Sequence, residues 1–333
     1  MQTTHSVLSA SNLSIGYHSG NNAVTVMQDI NLQLHSSRLT AMLGRNGIGK
    51  STLLRTIAGA QPAIEGTVQL GGRNIGSYRP RELSRQMSLV YTDRTQAGGL
   101  TVRQLVSLGR YPHTGFFGRL GKHDRNVVTQ SMAAAGIAHK ETAFVAELSD
   151  GERQKAMIAR ALAQETPIML LDEPTSFLDV ASRIEVMTLL HRLAHDEHKA
   201  ILLSTHDIAQ ALSLADELWV ATHDHHILQG CTEDCILSGA VQQMFAHDGQ
   251  NGIIFDTALG NFEIPLQATR GYTLRGDNPT LLRWIANALR RNGIAATGDA
   301  GTIIANTPTD ITLTSQHTTH CTSIAELLAA ITQ

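Results

Sequence analysis

Residues 44–52 read Gly44-Arg45-Asn46-Gly47-Ile48-Gly49-Lys50-Ser51-Thr52. An apolar run, residues 39–43, precedes this stretch, and a helical pattern, residues 51–58, follows it. This is the strand–loop–helix setting of a phosphate-binding loop, in which glycines let backbone N–H groups point at phosphate oxygens. The positive end of the following helix dipole favours the same anion. The stretch therefore predicts a nucleotide-binding α/β protein; the alternative is a glycine-rich turn that matches the motif by chance.

The loop predicts specific contacts with ATP and Mg²⁺. Lys50 is expected to reach the β- and γ-phosphates, and the Ser51 hydroxyl is expected to ligate Mg²⁺. The backbone of the loop supplies the remaining phosphate contacts. The predicted nucleotide-binding set from this segment is Gly44, Arg45, Asn46, Gly47, Ile48, Gly49, Lys50, Ser51 and Thr52.

A second segment, residues 168–173, is an apolar run that ends in two adjacent carboxylates. Four consecutive apolar residues predict a parallel strand buried on both faces, and ligands of open α/β sheets bind at the carboxyl ends of such strands. Asp172 is predicted in the Mg²⁺ shell, and Glu173 is predicted to take the proton of an attacking water. The alternative is that one carboxylate caps the turn before Pro174. A pair of carboxylates favours hydrolysis, because a simple kinase needs no base aimed at water.

A third segment, Leu148-Ser149-Asp150-Gly151-Glu152-Arg153-Gln154, opens a helix ahead of that strand. Together the three segments resemble the ATP-binding subunit of an ABC transporter, and the resemblance extends over about residues 5–245. In that family the third segment is the signature, which contacts the γ-phosphate of ATP held by a second subunit. The resemblance thus implies that two copies enclose two nucleotides, with Ser149 and Gly151 as nucleotide contacts. A helix N-terminus with a serine hydroxyl is physically suited to an anion.

The resemblance implies roles for three further positions. Tyr17 matches the aromatic residue that stacks on adenine. Ser176-Phe177-Leu178-Asp179 matches the loop that crosses to the partner, so Asp179 joins the nucleotide-site residues. His206, after the apolar strand 200–204, matches the switch histidine that senses the γ-phosphate and is assigned a catalytic role with Lys50 and Glu173.

The sequence departs from the family pattern at two positions. Asp150 replaces a signature glycine and adds negative charge near a phosphate site, so its side chain is expected to turn away from the nucleotide. The family also places a glutamine after the strand at residues 87–91, where this chain has Thr92 followed by Asp93. An oxygen of Thr92 or Asp93 is able to ligate Mg²⁺. We assign Thr92 to the metal.

Residues 100–106 and 108–113 resemble a subgroup of importers for iron chelates (siderophores), haem and cobalamin. The resemblance implies that this region meets the membrane permease. Its aromatic and basic side chains suit a partner-binding surface. The alternative is an ordinary solvated loop before a helix.

Composition limits the class of protein. The chain has 333 residues, long for one domain, and its net charge of −3 with a pI near 6.6 gives no nucleic-acid signature. It contains no apolar run of about 18 residues, and residues 1–5 show no export signal. Three cysteines are consistent with reduced cytosolic thiols. We expect a cytoplasmic protein, peripheral on the inner face of the cell membrane.

Two short tracts resemble metal sites. Cys231 and Cys235 have a spacing that metal sites use, but their segment is similar to a turn and helix start of the family. Residues 223–226 read His-Asp-His-His and lie between two strand-like runs, which favours a polar hairpin turn. We assign no metal other than Mg²⁺.

The sequence predicts two domains. Residues 1–247 form an ATP-binding domain of the P-loop NTPase α/β class, with an ABC-type antiparallel β subdomain and a helical subdomain at about 95–165. A polar, glycine-rich break at 246–252 leads to a small α+β extension, residues 253–333. Asn278-Pro279 opens one of its helices, and Ser323 opens the last with a capping box. Three roles are possible for this extension: regulation, stabilisation of a dimer, or packing without a ligand.

The sequence as a whole predicts an ATP-hydrolysing subunit that dimerises on a membrane permease and powers uptake of an iron chelate, haem or cobalamin. A substrate-binding protein is an indirect partner, and no nucleic acid is expected. The alternatives are a soluble ABC-type ATPase acting on nucleic acid or ribosomes, and the ATPase of an exporter. The sequence argues against the soluble ATPase, because it has a single phosphate-binding loop and one signature. It also shows no sustained heptads and no basic patch.

Overall fold

The computed structural model describes residues 5–19, 22–91, 99–245, 253–257, 260–263 and 268–332. Thr92 and Asp93, the predicted replacements for the usual glutamine, lie outside these residues. The chain divides into two compact units, Met1–Phe262 and Glu263–Gln333.

The first unit combines strands and helices in an α/β arrangement, as predicted. Its strands are β1 Ser6–Ser19, β2 Asn22–His35, β3 Arg38–Leu43, β4 Glu65–Leu70, β5 Arg73–Asn74, β6 Met87–Val90, β7 Ile168–Asp172, β8 Ala200–Thr205, β9 Glu217–Ala221, β10 Ile227–Cys231, β11 Ile254–Asp256 and β12 Asn261–Glu263. Its α-helices are α1 Lys50–Ile57, α2 Pro80–Leu83, α3 Val102–Ser107, α4 Lys122–Ala134, α5 Asp150–Leu162, α6 Val180–Asp196, α7 Ile208–Leu214, α8 Thr232–Leu237 and α9 Ala240–Gln243.

A six-stranded sheet in the order β10-β9-β3-β8-β7-β6 positions the predicted site. Its strands are parallel except for the hairpin of β9 and β10. Every residue of β7 and β8 is buried, which confirms the prediction of central strands covered on both faces. The turn at 222–226 joins β9 to β10, so the histidine-rich tract is a hairpin turn, as predicted.

Alternate residues of the sheet enter two different cores. On β8, Ile201 and Leu203 pack with helices α3–α6, whereas Ala200 and Leu202 pack with α1 and a second sheet. This period of two follows from the pleat, because successive side chains point to opposite faces. The second sheet is antiparallel, in the order β2-β1-β4-β5, and corresponds to the antiparallel subdomain predicted from the family resemblance.

Helices α3, α4 and α5 pack on one another between β6 and β7 in the chain. Thr101 caps α3 through a hydrogen bond from Gln104 N, and Ser149 caps α5 in the same way from Glu152 N. A short 3-10 helix, Leu108–His113, and an exposed loop connect α3 to α4. The predicted helical region thus carries both the signature and the proposed partner surface.

The first unit extends beyond the predicted domain boundary at residue 253. Phe255 is buried in its core, and the Phe262 ring lies 4.5 Å from the Phe245 ring and 4.9 Å from the Phe255 ring, centroid to centroid. These aromatic contacts hold β11 and β12 on the first unit. The structural division therefore follows Phe262 rather than the glycine-rich segment.

The second unit is a small α+β fold. Its elements are β13 Arg270–Gly271, β14 Thr273–Arg275, α10 Pro279–Arg291, β15 Ile294–Ala295, β16 Thr302–Thr307, β17 Asp310–Thr314, β18 Thr318–Cys321 and α11 Ile324–Thr332. A sheet in the order β14-β16-β17-β18 packs against both helices through residues such as Ile285, Ile303 and Leu327. Asn278 and Ser323 begin the two helices as the sequence predicts.

Candidate nucleotide site

The phosphate-binding loop lies between β3 and α1, at the carboxyl edge of the central sheet. Gly49 has a left-handed backbone with φ 117°, and a Cβ there would lie 2.7 Å from Val26 Cγ1. A Cβ at Gly44 would lie 2.9 Å from the Ala221 Cβ. Both positions need glycine because packing leaves no room for a side chain. A Cβ at Gly47 would meet no heavy atom within 4 Å, so its glycine serves the left-handed φ of 80° alone.

The Lys50 side chain lies along this loop. Its Nζ donates hydrogen bonds to Gly44 O at 2.8 Å and Arg45 O at 3.2 Å, and it is 3.9 Å from Glu173 Oε1. Burial lowers the pKa of Lys50, against the opposing effect of the Glu173 and Asp172 carboxylates. A largely desolvated ammonium in this position is suited to a phosphate, because few of its water contacts remain to be lost.

Ser51 and Asp172 come from elements 121 residues apart and meet at the same point. Ser51 Oγ donates to Asp172 Oδ1 at 3.0 Å, and Asp172 is buried. A hydroxyl and a carboxylate side by side form a hard-oxygen pair of the kind that Mg²⁺ selects. These two residues fit the Mg²⁺ predicted from the sequence. Ser51 Oγ and Asp172 Oδ1, which form a hydrogen bond with each other, would hold the metal.

Ser204 joins this group although the sequence analysis assigned it no role. It pairs with Asp172 in the parallel ladder of β7 and β8, and its Oγ donates to Asp172 Oδ1 at 2.7 Å. The same Oγ accepts a hydrogen bond from Glu173 N at 2.9 Å. The sequence contains one feature that points to Ser204. It is a polar residue near the end of an otherwise apolar strand, and that strand lies next to the one that carries the carboxylates.

Glu173 stands where β7 ends, with a left-handed φ of 46° that is uncommon for a residue with a side chain. Ser176 Oγ donates to its Oε2 at 2.7 Å, and His206 Nδ1 lies 3.5 Å from the same oxygen. The carboxylate is thus held between Lys50, Ser176 and His206. Backbone conformations of this kind occur often at functional sites, where surrounding contacts fix them.

Tyr17 connects the antiparallel sheet to the loop. Its hydroxyl forms a hydrogen bond with Thr52 Oγ1, and the side chain is half exposed. The hydroxyl contact fixes the ring next to the start of α1 and leaves part of its surface open for stacking.

The signature and the segment 176–179 form a second group. Gly151 lies against α6, where an added Cβ would be 2.7 Å from Ser182 Oγ. Asp179 caps α6 by accepting a hydrogen bond from Ser182 N at 2.7 Å, and this bond lowers the pKa of Asp179. Asp150 forms an ion pair with Arg153 on its own helix, which partly neutralises the charge that departs from the family pattern.

Two family models and several known proteins match this chain. A family model described as ABC transporter matches residues 27–176, and one described as iron ABC transporter C-terminal domain matches residues 270–332. An uncharacterized ABC transporter ATP-binding protein of Methanocaldococcus jannaschii is 38% identical over 258 residues, which cover 78% of this chain and 87% of that protein. The chain belongs to the ATP-binding proteins of ABC transporters. The resemblance found in the sequence is confirmed, and the protein is an ABC-type ATPase.

Two further comparisons concern transporters whose cargo is named. The ferric enterobactin transport ATP-binding protein of Escherichia coli is 36% identical over 233 residues, covering 70% of this chain and 84% of that protein. A solved ABC transporter assigned to the metal-chelate type, in an inward-facing conformation, aligns with a TM-score of 0.62 and 29% identity, covering 72% and 88% of the two chains. Among the residues that the structure describes in this ABC protein, no helix is long and apolar enough to cross a membrane.

Proposed function

We propose that this ABC protein is the ATP-hydrolysing subunit of an importer for an iron chelate (siderophore), haem or cobalamin, bound to a membrane permease on the inner face of the cell membrane. Two copies would hold two ATP·Mg²⁺ between them. The observation that carries the proposal is the convergence of Lys50, Ser51, Asp172, Glu173 and His206 at one edge of the sheet.

Each side chain at this edge of the sheet has a separate role in ATP hydrolysis. Glu173 accepts a proton from the attacking water, and the Ser176 hydroxyl and His206 hold its carboxylate in place. Lys50 contacts the phosphates, and Ser51 and Asp172 would hold the metal. When bound, Mg²⁺ neutralises the charge that develops on the phosphate oxygens. Tyr17 stacks on adenine.

Ser149, Gly151 and Asp179 belong to the second group, at the N-termini of α5 and α6. In the proposed dimer they approach the nucleotide bound to the other copy. ATP then binds the associated pair more tightly than the separate chains, and this difference in affinity drives association. Hydrolysis removes the γ-phosphate and returns the pair to the open state.

The loop between α3 and α4 supports attachment to a permease. Tyr111, Phe116 and Phe117 are 78%, 98% and 82% exposed, and exposed aromatic side chains in proximity mark interaction surfaces. The loop is nevertheless fixed to the domain, because Arg81 and Arg85 both donate to Pro112 O. An exposed apolar surface on a rigid support is suited to transmit movement to a partner.

The class of cargo rests on the relatives and on the second unit. The ferric enterobactin protein of E. coli and the Bacillus subtilis iron(3+)-hydroxamate import ATP-binding protein, 33% identical over 243 residues, are both named for iron chelates. The match of residues 270–332 to an iron transporter C-terminal domain supports the same class.

Mass spectrometry of the proteins that co-purify with this chain from gently solubilised membranes tests the proposal. We expect a polytopic permease in stoichiometric amount, whose identity narrows the cargo. The Phe116→Ala/Phe117→Ala variant should lose the permease while still binding ATP, whereas Leu237→Ala, at an exposed apolar residue of α8, should retain it. A chain that brings down nucleic acid or ribosomes instead would contradict the transport function and leave the ATPase chemistry in place.

A further inference from the structure

A cavity of about 530 Å³ lies at the edge of the central sheet opposite the nucleotide site. Thr166 and Pro167, directly before β7, and Lys199, directly before β8, line it, whereas the nucleotide residues lie at the carboxyl ends of these strands. Helix α4 and the end of α5 form the rest of the lining. Sites for small molecules typically have volumes of about 300–1,000 Å³. The proposed ATPase chemistry does not use this cavity.

The Lys199 ammonium reaches this cavity with few partners. Its side chain is 12% exposed, Nζ donates to Thr166 O at 3.0 Å, and Glu197 Oε2 is 3.9 Å away. Burial lowers the pKa of Lys199, against the opposing effect of the Glu197 and Glu165 carboxylates. An ammonium has several N–H donors, and those not used by Thr166 find no hydrogen-bond acceptor among the residues that the structure describes. A partly desolvated cation with unused donors is suited to an anion.

Ser131 on α4 adds a second donor to the same cavity. It is 6% exposed and lines the cavity. Within the described part of the chain, no group forms a hydrogen bond with its hydroxyl. Buried polar groups are normally paired, so an acceptor from outside the chain is needed to complete this one. The hydroxyl and the Lys199 ammonium together offer donors to one anionic group.

The remaining lining decides what kind of anion fits. Val127, Ala134 and Leu162 give the cavity an apolar wall. Glu165 and Glu197 stand at its rim, with side chains 42% and 45% exposed. These carboxylates repel a ligand with several negative charges, and the apolar wall favours a hydrocarbon group. The cavity therefore favours a single carboxylate with an apolar body over a phosphate or a dicarboxylate.

Uncommon backbone conformations mark the same cavity. Glu165 and His198 both line it, and both are left-handed, with φ of 52° and 54°. Each lies just beyond the end of a helix, where glycine is the usual residue for this conformation. Arg110 Nη1 donates to Glu165 Oε2 at 2.6 Å, and Ser37 Oγ lies 3.2 Å from His198 Nδ1. Side chains kept at such positions and held by specific contacts are typical of functional sites.

We propose that this cavity is a binding site for a small organic monocarboxylate with an apolar body. Lys199 Nζ and the Ser131 hydroxyl donate to the carboxylate oxygens. The wall of Val127, Ala134 and Leu162 packs against the apolar body. This site does not depend on the transport function.

Fluorine NMR of the full-length chain with 4-fluorobenzoate tests the site. ADP and Mg²⁺ are present in every sample to occupy the nucleotide site. We expect saturable broadening of the fluorine line with a dissociation constant on the order of 1 mM, as suits a ligand of this size. The matched probe 4-fluorobenzylamine has the same ring and the opposite charge, and it should bind roughly tenfold more weakly or less. Inorganic phosphate and citrate should not displace 4-fluorobenzoate.

Variants of the cavity identify the residues that bind the probe. Lys199→Met replaces the ammonium by an apolar group of similar length and should weaken binding of 4-fluorobenzoate roughly tenfold or more. Lys122→Met, at an exposed lysine of α4, is the control and should leave binding unchanged. Ser131→Ala removes a hydroxyl without a protein partner, so the chain should fold normally and bind the probe about threefold more weakly. Ala134→Phe fills the cavity without a change of charge and should abolish binding.

Three results would overturn the site. They are the absence of saturable binding up to about 20 mM 4-fluorobenzoate, equal or tighter binding of the amine, and unchanged binding in folded Lys199→Met, Ser131→Ala and Ala134→Phe. Displacement of the probe by an equal concentration of phosphate or citrate would overturn the proposed class of ligand. Circular dichroism confirms that each variant is folded. Loss of binding in the cavity variants with retention in Lys122→Met supports the site.

Discussion

The Ser204 hydroxyl donates to Asp172 Oδ1 at 2.7 Å and accepts from Glu173 N at 2.9 Å. One buried side chain on β8 therefore fixes the side chain of the first carboxylate and the backbone of the second. Ser51 Oγ reaches the same oxygen of Asp172 from α1. Donors from α1 and β8 thus meet at the same oxygen atom of Asp172 at the end of β7.

Ser204→Ala should weaken the site and the fold together. The change removes one donor from Asp172 Oδ1, which keeps the Ser51 hydroxyl, and one acceptor from Glu173 N, which keeps Ser204 O at 3.1 Å, so we expect a loss of about 0.5–1.5 kcal/mol per hydrogen bond. We expect lower stability in urea and an ATPase rate reduced roughly tenfold or more. Ser88→Ala, at a buried serine on β6, is the matched control and should leave the ATPase rate near that of the parent. Equal rates for the two variants would show that Ser204 does not position the carboxylates.

Glu173→Gln should separate binding from hydrolysis. The amide keeps the size of the side chain and the contact with Ser176 but cannot accept the proton of water, so phosphate release should fall by about 10²–10⁴-fold. ATP binding should remain. Glu185→Gln, at an α6 carboxylate paired with Lys155, is the control. Hydrolysis by Glu173→Gln at near the parent rate would remove Glu173 as the base.

Tyr17 should contribute through its ring rather than its hydroxyl. Stacking of a base on an aromatic side chain is worth about 1–3 kcal/mol, so Tyr17→Ala should weaken ATP binding by roughly 5- to 150-fold. Tyr17→Phe loses the hydrogen bond with Thr52 and keeps the ring, and it should bind ATP nearly as the parent does. Titration with a fluorescent ATP analogue measures the affinity of both variants. Equal affinity in the parent and Tyr17→Ala would exclude stacking.

Arg110 should be essential to the fold of the aromatic loop. It is 1% exposed, and it reaches Asp124 Oδ1 at 2.9 Å and Glu165 Oε2 at 2.6 Å. Its carboxylate partners are partly exposed and regain water when the guanidinium is lost, so Arg110→Met, which also leaves Ala163 O without this donor, should lower the free energy of unfolding by about 1–3 kcal/mol. Arg119→Met, at an exposed arginine of the same loop, should change it by less than about 0.5 kcal/mol. Equal stability in both variants would contradict a structural role for the contacts of Arg110 with Asp124 and Glu165.

Thiol chemistry should distinguish the cysteines of the first unit. Burial raises the pKa of Cys235 to about 11, and Cys231 is exposed. Iodoacetamide at pH 8 should modify Cys231 well before Cys235, because the thiolate is the reactive form. Because burial penalises the Cys235 thiolate only in the folded chain, this group should lower the free energy of unfolding as the pH rises from 9.0 to about 11 and leave it unchanged below pH 9.0. Peptide mapping measures the order of modification, and faster modification of Cys235 would contradict its burial.

Much of the fold and of the candidate site could be predicted because their chemistry lies in contiguous segments. The loop at 44–52 has its glycines and Lys50 at fixed spacings, and the apolar run before Asp172 is typical of a parallel strand buried on both faces. The parallel sheet then brings Ser51 and Asp172 together, since the carboxyl ends of its strands share one edge. The helix caps at Asn278 and Ser323 could also be predicted, because each accepts a hydrogen bond from a backbone N–H only three residues away.

Other features needed the tertiary structure. Ser204 acquires its role only from the register of β8 on β7, and Phe255 and Phe262 assign β11 and β12 to the first unit through contacts with its core. The cavity lined by Ser131 and Lys199 is likewise formed by segments far apart in the chain. The sequence by itself determined which residues are proposed to bind phosphate and metal, because that prediction depends on side-chain type and short spacings. The tertiary structure decided what supports and surrounds them, because hydrogen bonds and packing between distant segments depend on strand order and register.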